Sequence, residues 1–132
     1  MTSVLFSVFS DWSLFFLRMV LGFIFLWHGW PKIKNLKETQ QNFGMMGFKP
    51  GILWGTVVAA VEFFGSLSLL SGLFTSAFAL ILAAQMLVAT LWKLRRGQKF
   101  VSGYEFDLLL VVSLLAIATL GGGIYSLDAV LF

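Results

Sequence analysis

Residues 12–30 read WSLFFLRMVLGFIFLWHGW, and they decide the fold because they are apolar over nearly the whole length of a membrane span. A helix needs about 20 such residues to cross the hydrocarbon core of a bilayer. Trp12 at one end and Trp27 with Trp30 at the other match the aromatic belts of the two membrane surfaces. Arg18 is the one charged residue inside the stretch, and an arginine at such depth costs about 2.5–3.5 kcal/mol on insertion scales. It therefore needs a partner or a function.

The composition extends this interpretation to the whole chain. Of the 132 residues, 59% are hydrophobic and 11% are charged, whereas roughly a quarter of the residues of a soluble domain are charged. Three further apolar stretches, at about 52–70, 77–92 and 104–120, predict three more spans after the first at 12–30. The sequence therefore predicts an all-α integral membrane four-helix bundle, a single domain over residues 1–132. Residues 1–11 are short and mixed, and we expect them in the membrane interface.

The basic residues predict the orientation of the bundle. Loops 31–50 and 93–103 each hold four Lys or Arg residues, whereas the opposite side holds none. The positive-inside rule therefore predicts that both loops are cytoplasmic, with N-out/C-out termini, in a multi-pass protein of the cell inner membrane. A net charge of +3 could indicate nucleic-acid binding, but the basic residues lie in two short loops beside apolar runs, which is the pattern of membrane orientation. The expected partner is therefore the lipid bilayer and no nucleic acid.

Local signals predict where the helices begin and end. Ser10 and Asp11 are candidate N-cap residues for the first span, and Pro31 is expected to end it because proline cannot donate a backbone hydrogen bond. The loop that follows carries the apolar side of a short interfacial helix, formed by Ile33, Leu36 and Phe43.

Several kinds of chemistry are excluded or disfavoured by what the chain lacks. It has no cysteine, which excludes disulfides, thiol redox chemistry and Cys-ligated metals. Its one histidine, His28, lies among scattered acids without metal-ligand spacing, and it would supply two axial haem ligands only in a dimer. No metal or haem is therefore predicted. The sequence also lacks a phosphate-binding glycine loop, a nucleotide fingerprint and a catalytic serine motif.

Two stripes of small residues place the two mid-span charges on packing faces. The stripe on the first span consists of Arg18, Gly22, Phe25 and Gly29, and the stripe on the second consists of Gly51, Gly55, Ala59, Glu62 and Ser66. At 100° per residue, the first stripe covers about 60° of the helix circumference and the second about 80°. Counted from Trp30 and Gly51 at 1.5 Å per residue, Arg18 lies about 18 Å deep and Glu62 about 16.5 Å deep. Small residues let helices approach closely in lipid. We therefore predict an Arg18–Glu62 contact near the midplane.

Further polar residues are predicted to extend this pair into a column toward the basic loops. The expected catalytic residues are Arg18, His28 and Glu62, and the expected ligand-binding residues are Gln85, Tyr104 and Glu105. Asp107 points about 160° away from Glu105 and is expected to face the headgroups. Two structural alternatives stay open: an ion pair that only holds the bundle together, and an interfacial His28 bonded to Glu105 or Tyr104.

The motifs now described resemble those of the DoxX family of small membrane proteins. They span nearly the whole chain in order: Leu17-Arg18, Leu21-Gly22, Trp27-His28-Gly29, Lys32, Glu62-Phe63-Phe64-Gly65, Leu69-Leu70-Ser71-Gly72-Leu73-Phe74-Thr75, Ala84-Gln85-Met86, Gly103-Tyr104-Glu105 and Tyr125-Ser126-Leu127-Asp128. Gly65-Ser66 stands where many relatives have two glycines. The resemblance implies a four-helix membrane bundle. Relatives are linked to thiosulfate:quinone oxidoreduction and to oxidative-stress complexes, and many have no assigned activity.

The leading functional hypothesis is a quinone-linked redox membrane subunit, and whether the chain is itself an enzyme is left open. Arg18 and His28 would donate hydrogen bonds to quinone oxygens, and Glu62 or Glu105 would relay protons. With no cysteine, thiosulfate chemistry would need non-covalent binding and an external electron carrier. The partner would be a second copy, in a homodimer, or a redox partner protein. The alternatives are a small-solute or proton-coupled transporter that uses Glu62, and a non-catalytic membrane anchor whose basic loops bind a soluble enzyme.

Overall fold

The computed structural model describes Phe6 and residues 9–132, and this part of the chain contains helices and no strand. The helices are α1 (Ser10–Lys34), α2 (Leu36–Met45), α3 (Gly51–Ser71), α4 (Thr75–Arg95), α5 (Glu105–Leu120) and α6 (Leu127–Leu131). An irregular helical turn, Phe100–Tyr104, leads into α5. The interfacial placement predicted for residues 1–11 lies largely outside the described residues.

Four helical segments are long and apolar enough to cross a membrane: α1, α3, α4 and the combined segment Phe100–Leu120. The predicted all-α four-helix membrane bundle is thereby confirmed. Helices α1 and α4 extend a few residues beyond the predicted spans at their basic ends. Lys32 and Lys34 belong to the last turn of α1, and Lys93 and Arg95 belong to the last turn of α4. Cations are favourable there, next to the negative end of the helix dipole.

The predicted helix stop at Pro31 is wrong. Helix α1 continues through Pro31 to Lys34, and the backbone N–H of Asn35 donates to the Pro31 carbonyl at 2.9 Å. Proline removes one donor, but its carbonyl still accepts the hydrogen bond that closes the last turn. The short helix predicted for this loop is present as α2, although Ile33 belongs to α1. At the other end Phe9 occupies the N-cap, so Ser10 and Asp11 lie in the first turn.

Helices α1 and α3 pack closely through the stripe predicted on α1. A side-chain carbon added at Gly29 would lie 2.9 Å from the backbone nitrogen of Phe63, so the two backbones approach too closely for any larger residue. The start of α3 has a different neighbour. A carbon added at Gly55 would lie 2.7 Å from Cα of Gln40, which places this turn against α2.

The interior of the bundle differs between its two halves. The half next to the α3–α4 turn and α6, called here the packed half, is filled by apolar side chains of α1, α3, α4 and α5: Leu21, Phe25, Leu69, Ala79, Leu82, Ala83, Leu110, Leu114 and Ile117. The half next to the predicted basic loops, called here the basic half, contains an open space between the helices. This division positions the candidate site.

Candidate functional site

Arg18 is fully buried, 1% exposed, and its guanidinium binds backbone carbonyls in the packed half. Nη1 donates to the carbonyls of Leu69 at 2.8 Å and Leu70 at 3.3 Å, and Nη2 donates to the Tyr125 carbonyl at 2.7 Å. The carbonyls of Leu69 and Leu70 belong to the last turn of α3, where a helix has no partners of its own for them. Arg18 therefore caps α3 and fastens the segment before α6 to it.

The predicted contact between Arg18 and Glu62 is therefore wrong. The acceptors of Arg18 lie seven and eight residues beyond Glu62, which is about 11–12 Å along α3. The depth count went wrong because it set Gly51 level with Trp30. Instead α1 runs on to Lys34 and the first turns of α3 pack against α2. Gly29 lies against Glu62 and Phe63, so α3 is displaced relative to α1 by about three turns from the predicted register.

Asp128 completes the fastening from the other side of the α3–α4 turn. Its carboxylate accepts the backbone N–H groups of Phe74 at 2.7 Å and Thr75 at 2.9 Å, at the positive end of the α4 dipole. Burial alone raises the pKa of Asp128, but these hydrogen bonds and the charge of Arg18 outweigh it and lower the pKa below its ordinary value. Residues 72–75 with Arg18, Tyr125 and Asp128 are called the clamp below.

Glu62 is 5% exposed and lies near the middle of α3, where Lys32 and Gln85 bind it. The Lys32 ammonium lies 2.7 Å from both carboxylate oxygens, and Nε2 of Gln85 donates to Oε1 at 2.9 Å. Lys32 reaches this depth because helical side chains lean toward the N-terminus of their helix. From the last turn of α1 it therefore leans into the bundle, while Glu62 leans toward it.

A cavity of about 710 Å³ lies beside this ion pair in the basic half. Its walls come from α1, the end of α2, the α2–α3 connection, α3, α4 and the start of α5, and most of the lining residues are apolar or aromatic. Representative apolar lining residues are Phe43, Phe48, Trp54, Val58, Met86, Trp92 and Phe106. The polar lining residues are His28, Lys32, Glu62, Gln85, Lys93 and Asp107. An apolar chamber with a few converging polar groups is the usual form of a small-molecule site.

The structure brings three of the six predicted site residues to this cavity. Glu62, Gln85 and His28 line it, and His28 is exposed on the same side of α1 as Lys32, one turn earlier. Tyr104 and Glu105 do not line it. Tyr104 packs edge-on against Phe100, and the Glu105 carboxylate accepts the backbone N–H of Ser102, which fastens the turn before α5. The predicted column therefore does not form as one continuous group.

Three polar residues of the cavity were not among the predicted site residues: Lys32, Lys93 and Asp107. Asp107, expected to face the headgroups, is instead 6% exposed and forms an ion pair with Lys93 at 2.6 Å. The prediction turned Glu105 toward the bundle interior and Asp107 away from it, whereas the structure places Glu105 at the exposed start of α5 and buries Asp107. The four-residue spacing of His28 and Lys32 is a readable signal in the sequence, but the basic loops predicted orientation or partner binding and not a residue of the buried site.

Comparison with known proteins gives the class of this protein. The DoxX family model matches residues 13–94, more than half of the chain. The chain belongs to the DoxX family, as the motif resemblance implied. Among curated relatives, the protein named "Putative oxidoreductase CatD" of Bacillus subtilis (strain 168) is 30% identical over 116 residues, which cover 88% of this chain and 84% of the relative. No solved structure matches the chain.

Proposed function

We propose that this DoxX membrane protein is a quinone-linked redox subunit that binds the quinone head in the cavity of the basic half. The observation that carries the proposal is the pairing of a buried carboxylate, Glu62, with Lys32 and Gln85 on the wall of a 710 Å³ apolar chamber. The word oxidoreductase in the name of the Bacillus subtilis relative supports the same class.

The cavity suits such a ligand in size and in chemistry. Its volume lies within the roughly 300–1,000 Å³ of ordinary ligand sites, and aromatic side chains supply flat apolar surfaces for a ring. Trp54 and Trp92 are among them. A quinone would supply the redox chemistry, since it takes up two electrons and two protons when it becomes a hydroquinone.

The polar residues would bind and orient the ligand oxygens. An ammonium has three N–H donors, and Lys32 directs two of them at the Glu62 oxygens, which leaves one for a ligand oxygen. Glu62 balances the charge of Lys32 and fixes its position. His28, one turn away, can donate from one ring nitrogen and hold a proton on the other. Lys32 thus takes the place that the sequence hypothesis assigned to Arg18, which caps α3 outside the cavity.

A binding titration tests the proposal. Short-chain quinone is added to the purified protein, and quenching of tryptophan fluorescence is followed, because Trp54 and Trp92 line the cavity. The double variant Lys32→Met/Glu62→Gln removes the donor and leaves no unpaired charge, so its fold is expected to survive. We expect binding about tenfold weaker, a loss of about 1.4 kcal/mol.

The matched control is Lys34→Met, which changes an exposed lysine two residues further along α1. It should bind as the unmodified protein does. Quinone-dependent electron transfer in membranes is the second measurement and should fall in the double variant only. Absence of saturable binding in the unmodified protein, or equal binding in all three proteins, would rule the quinone site out.

The membrane-anchor alternative keeps one supporting observation, an exposed basic surface at the basic end of the bundle. Arg95 and Lys99 are exposed there, whereas Arg96 donates to the Met46 carbonyl and Lys93 pairs with Asp107. Neutralising Arg95 and Lys99 alone therefore tests docking without disturbing the bundle. If a soluble partner binds this surface, its co-purification should fall in that variant, and unchanged recovery would count against the anchor.

A further inference from the structure

A second ion pair, Lys93–Asp107, lies on the same cavity wall as Gln85 but closer to the basic end. Gln85 and Lys93 are eight residues apart on α4, which is about 12 Å along the helix. Lys93 lies in the last turn of α4 and Asp107 in the first turn of α5, so both come from the end of the bundle. The Asp107 side chain is 9% exposed and that of Lys93 is 30% exposed.

The opposite end of the cavity is closed by the apolar core. Phe25 and Leu110 belong to both the cavity wall and the core, and they form its floor. Behind them Leu21, Leu82 and Leu114 are each at most 2% exposed. Passage through this layer is unfavourable, since an unpaired polar species in an apolar interior loses several kcal/mol of hydration. The buried Ser66 hydroxyl, one turn beyond Glu62, donates to the Phe63 carbonyl of its own helix.

The α2–α3 connection closes the third side of the mouth. The Met46 carbonyl accepts Nε1 of Trp92 at 3.1 Å and Nη2 of Arg96 at 3.2 Å, which fastens this connection to the end of α4 beside Lys93. Phe43, Met46 and Phe48 then cover the cavity from that side. On the α4–α5 side, the polar part of the mouth is therefore the Lys93–Asp107 pair, while His28 and Lys32 lie on the α1 wall.

We propose that Lys93 and Asp107 form an aqueous entrance to the cavity, and that this entrance opens at the basic end alone. Any occupant of the cavity, quinone or not, then exchanges protons and water with one side of the membrane only. Because the two side chains carry opposite charges, the entrance favours neither cations nor anions. Removal of the Asp107 charge leaves Lys93 and should favour anions, and removal of the Lys93 charge leaves Asp107 and should favour cations.

The absence of native cysteine allows a direct test by single-cysteine labelling. Ala89→Cys places a thiol on the cavity wall between Gln85 and Lys93. Two reference variants report the sides of a sealed vesicle: Gln98→Cys in the exposed α4–α5 connection and Ser71→Cys at the exposed end of α3. Membrane-impermeant methanethiosulfonates are used, one cationic with trimethylammonium and one anionic with sulfonate.

The expected result is that Ala89→Cys reacts from the side that labels Gln98→Cys and is protected from the side that labels Ser71→Cys. Adding Asp107→Asn should shift its reactivity toward the anionic reagent on the order of tenfold, and adding Lys93→Gln should shift it toward the cationic reagent by a similar factor. Asp107→Glu and Lys93→Arg should keep the original preference.

Three outcomes would contradict the proposed entrance. They are labelling of Ala89→Cys from the Ser71 side, no labelling from either side, and an unchanged charge preference in both neutralised variants. If a neutralised variant does not fold, the sidedness of Ala89→Cys in the otherwise unmodified chain still decides the question. The labelling needs no quinone, so a failed quinone titration and a failed entrance are separate results.

Discussion

The packed half and the basic half both bury charged side chains, but they neutralise them with different partners. In the packed half Arg18 binds the backbone carbonyls of Leu69, Leu70 and Tyr125, next to a closed apolar core. In the basic half Glu62 and Asp107 pair with lysine side chains beside a 710 Å³ cavity.

The difference indicates which half is suited to a ligand. Carbonyls at a helix end are held by the backbone, so the planar guanidinium of Arg18 forms a rigid fastening. Lysine ammonium groups sit on flexible stems with three donors each, and both lysines here are 30% exposed. They can turn toward an added oxygen without loss of the fold. The clamp is therefore the more rigid of the two regions, and our proposals place ligand binding at the Lys32–Glu62 pair and the entrance at the Lys93–Asp107 pair.

The largest effect is expected from Gly72→Ala in the clamp. Gly72 has φ +77°, and an added carbon would lie 2.7 Å from Arg18 Nη1 and overlap Ser126. Left-handed strain of about 1–2 kcal/mol and overpacking of about 1–3 kcal/mol should together cost about 3 kcal/mol or more. The control is Gly97→Ala, with φ +74° and open space around it, which should cost only the strain. Thermal unfolding in detergent measures both, and equal losses would show that the clamp is not tightly packed.

The next largest effect on stability comes from enlarging an alanine of α4, and it should differ between the two halves. Ala83→Leu adds volume to the closed core, where Ala83 is 3% exposed, and should cost about 2 kcal/mol. Ala89→Leu adds the same atoms in the cavity and should cost less than about 0.5 kcal/mol, because it displaces no packed neighbour. Unfolding of the two variants gives the comparison. A large loss for Ala89→Leu would mean that the cavity closes in solution.

A smaller effect is expected from Glu62→Gln, which leaves Lys32 without its carboxylate. Loss of a buried ionic hydrogen-bond partner should cost about 1–2 kcal/mol, since Lys32 retains some contact with solvent. Adding Lys32→Met should recover part of that loss, and the double-mutant cycle measures the coupling. Glu105→Gln, at an exposed position, should stay within about 0.5 kcal/mol. A cycle with no coupling would contradict the ion pair.

The smallest effect is a pH dependence from Asp128. Its pKa is lowered in the folded protein, so its ionised form stabilises the clamp. That contribution is fully present above the unfolded pKa, about 3.9, and is lost as the pH falls through the lower folded value. The difference in unfolding temperature between the unmodified protein and Asp128→Asn should therefore be constant from pH 7 to about 5 and shrink below about 4. If the difference in unfolding temperature grew on acidification instead, the folded protein would raise the pKa of Asp128, which contradicts its role in the clamp.

The sequence predicts the bundle well because span number depends on local composition. An apolar stretch of about 20 residues crosses a membrane wherever its neighbours lie, so the spans at 12–30, 52–70, 77–92 and 104–120 all fall within observed helical segments. The stripe from Arg18 to Gly29 was likewise readable, because helical periodicity alone puts these residues on one side. Family membership followed from motif order.

The sequence by itself thus determined four apolar helices, the buried stripe of α1, and the presence of costly charges at Arg18 and Glu62. Only the tertiary structure decided which group each charge meets. Partner choice depends on the displacement between neighbouring helices. Helix α2 packs against the first turns of α3, and α3 is shifted by about three turns from the predicted register. It depends as well on the direction in which long side chains lean, which brings Lys32 to Glu62 and Lys93 to Asp107. Charge and hydropathy are properties of a residue, whereas a contact is a property of two helices.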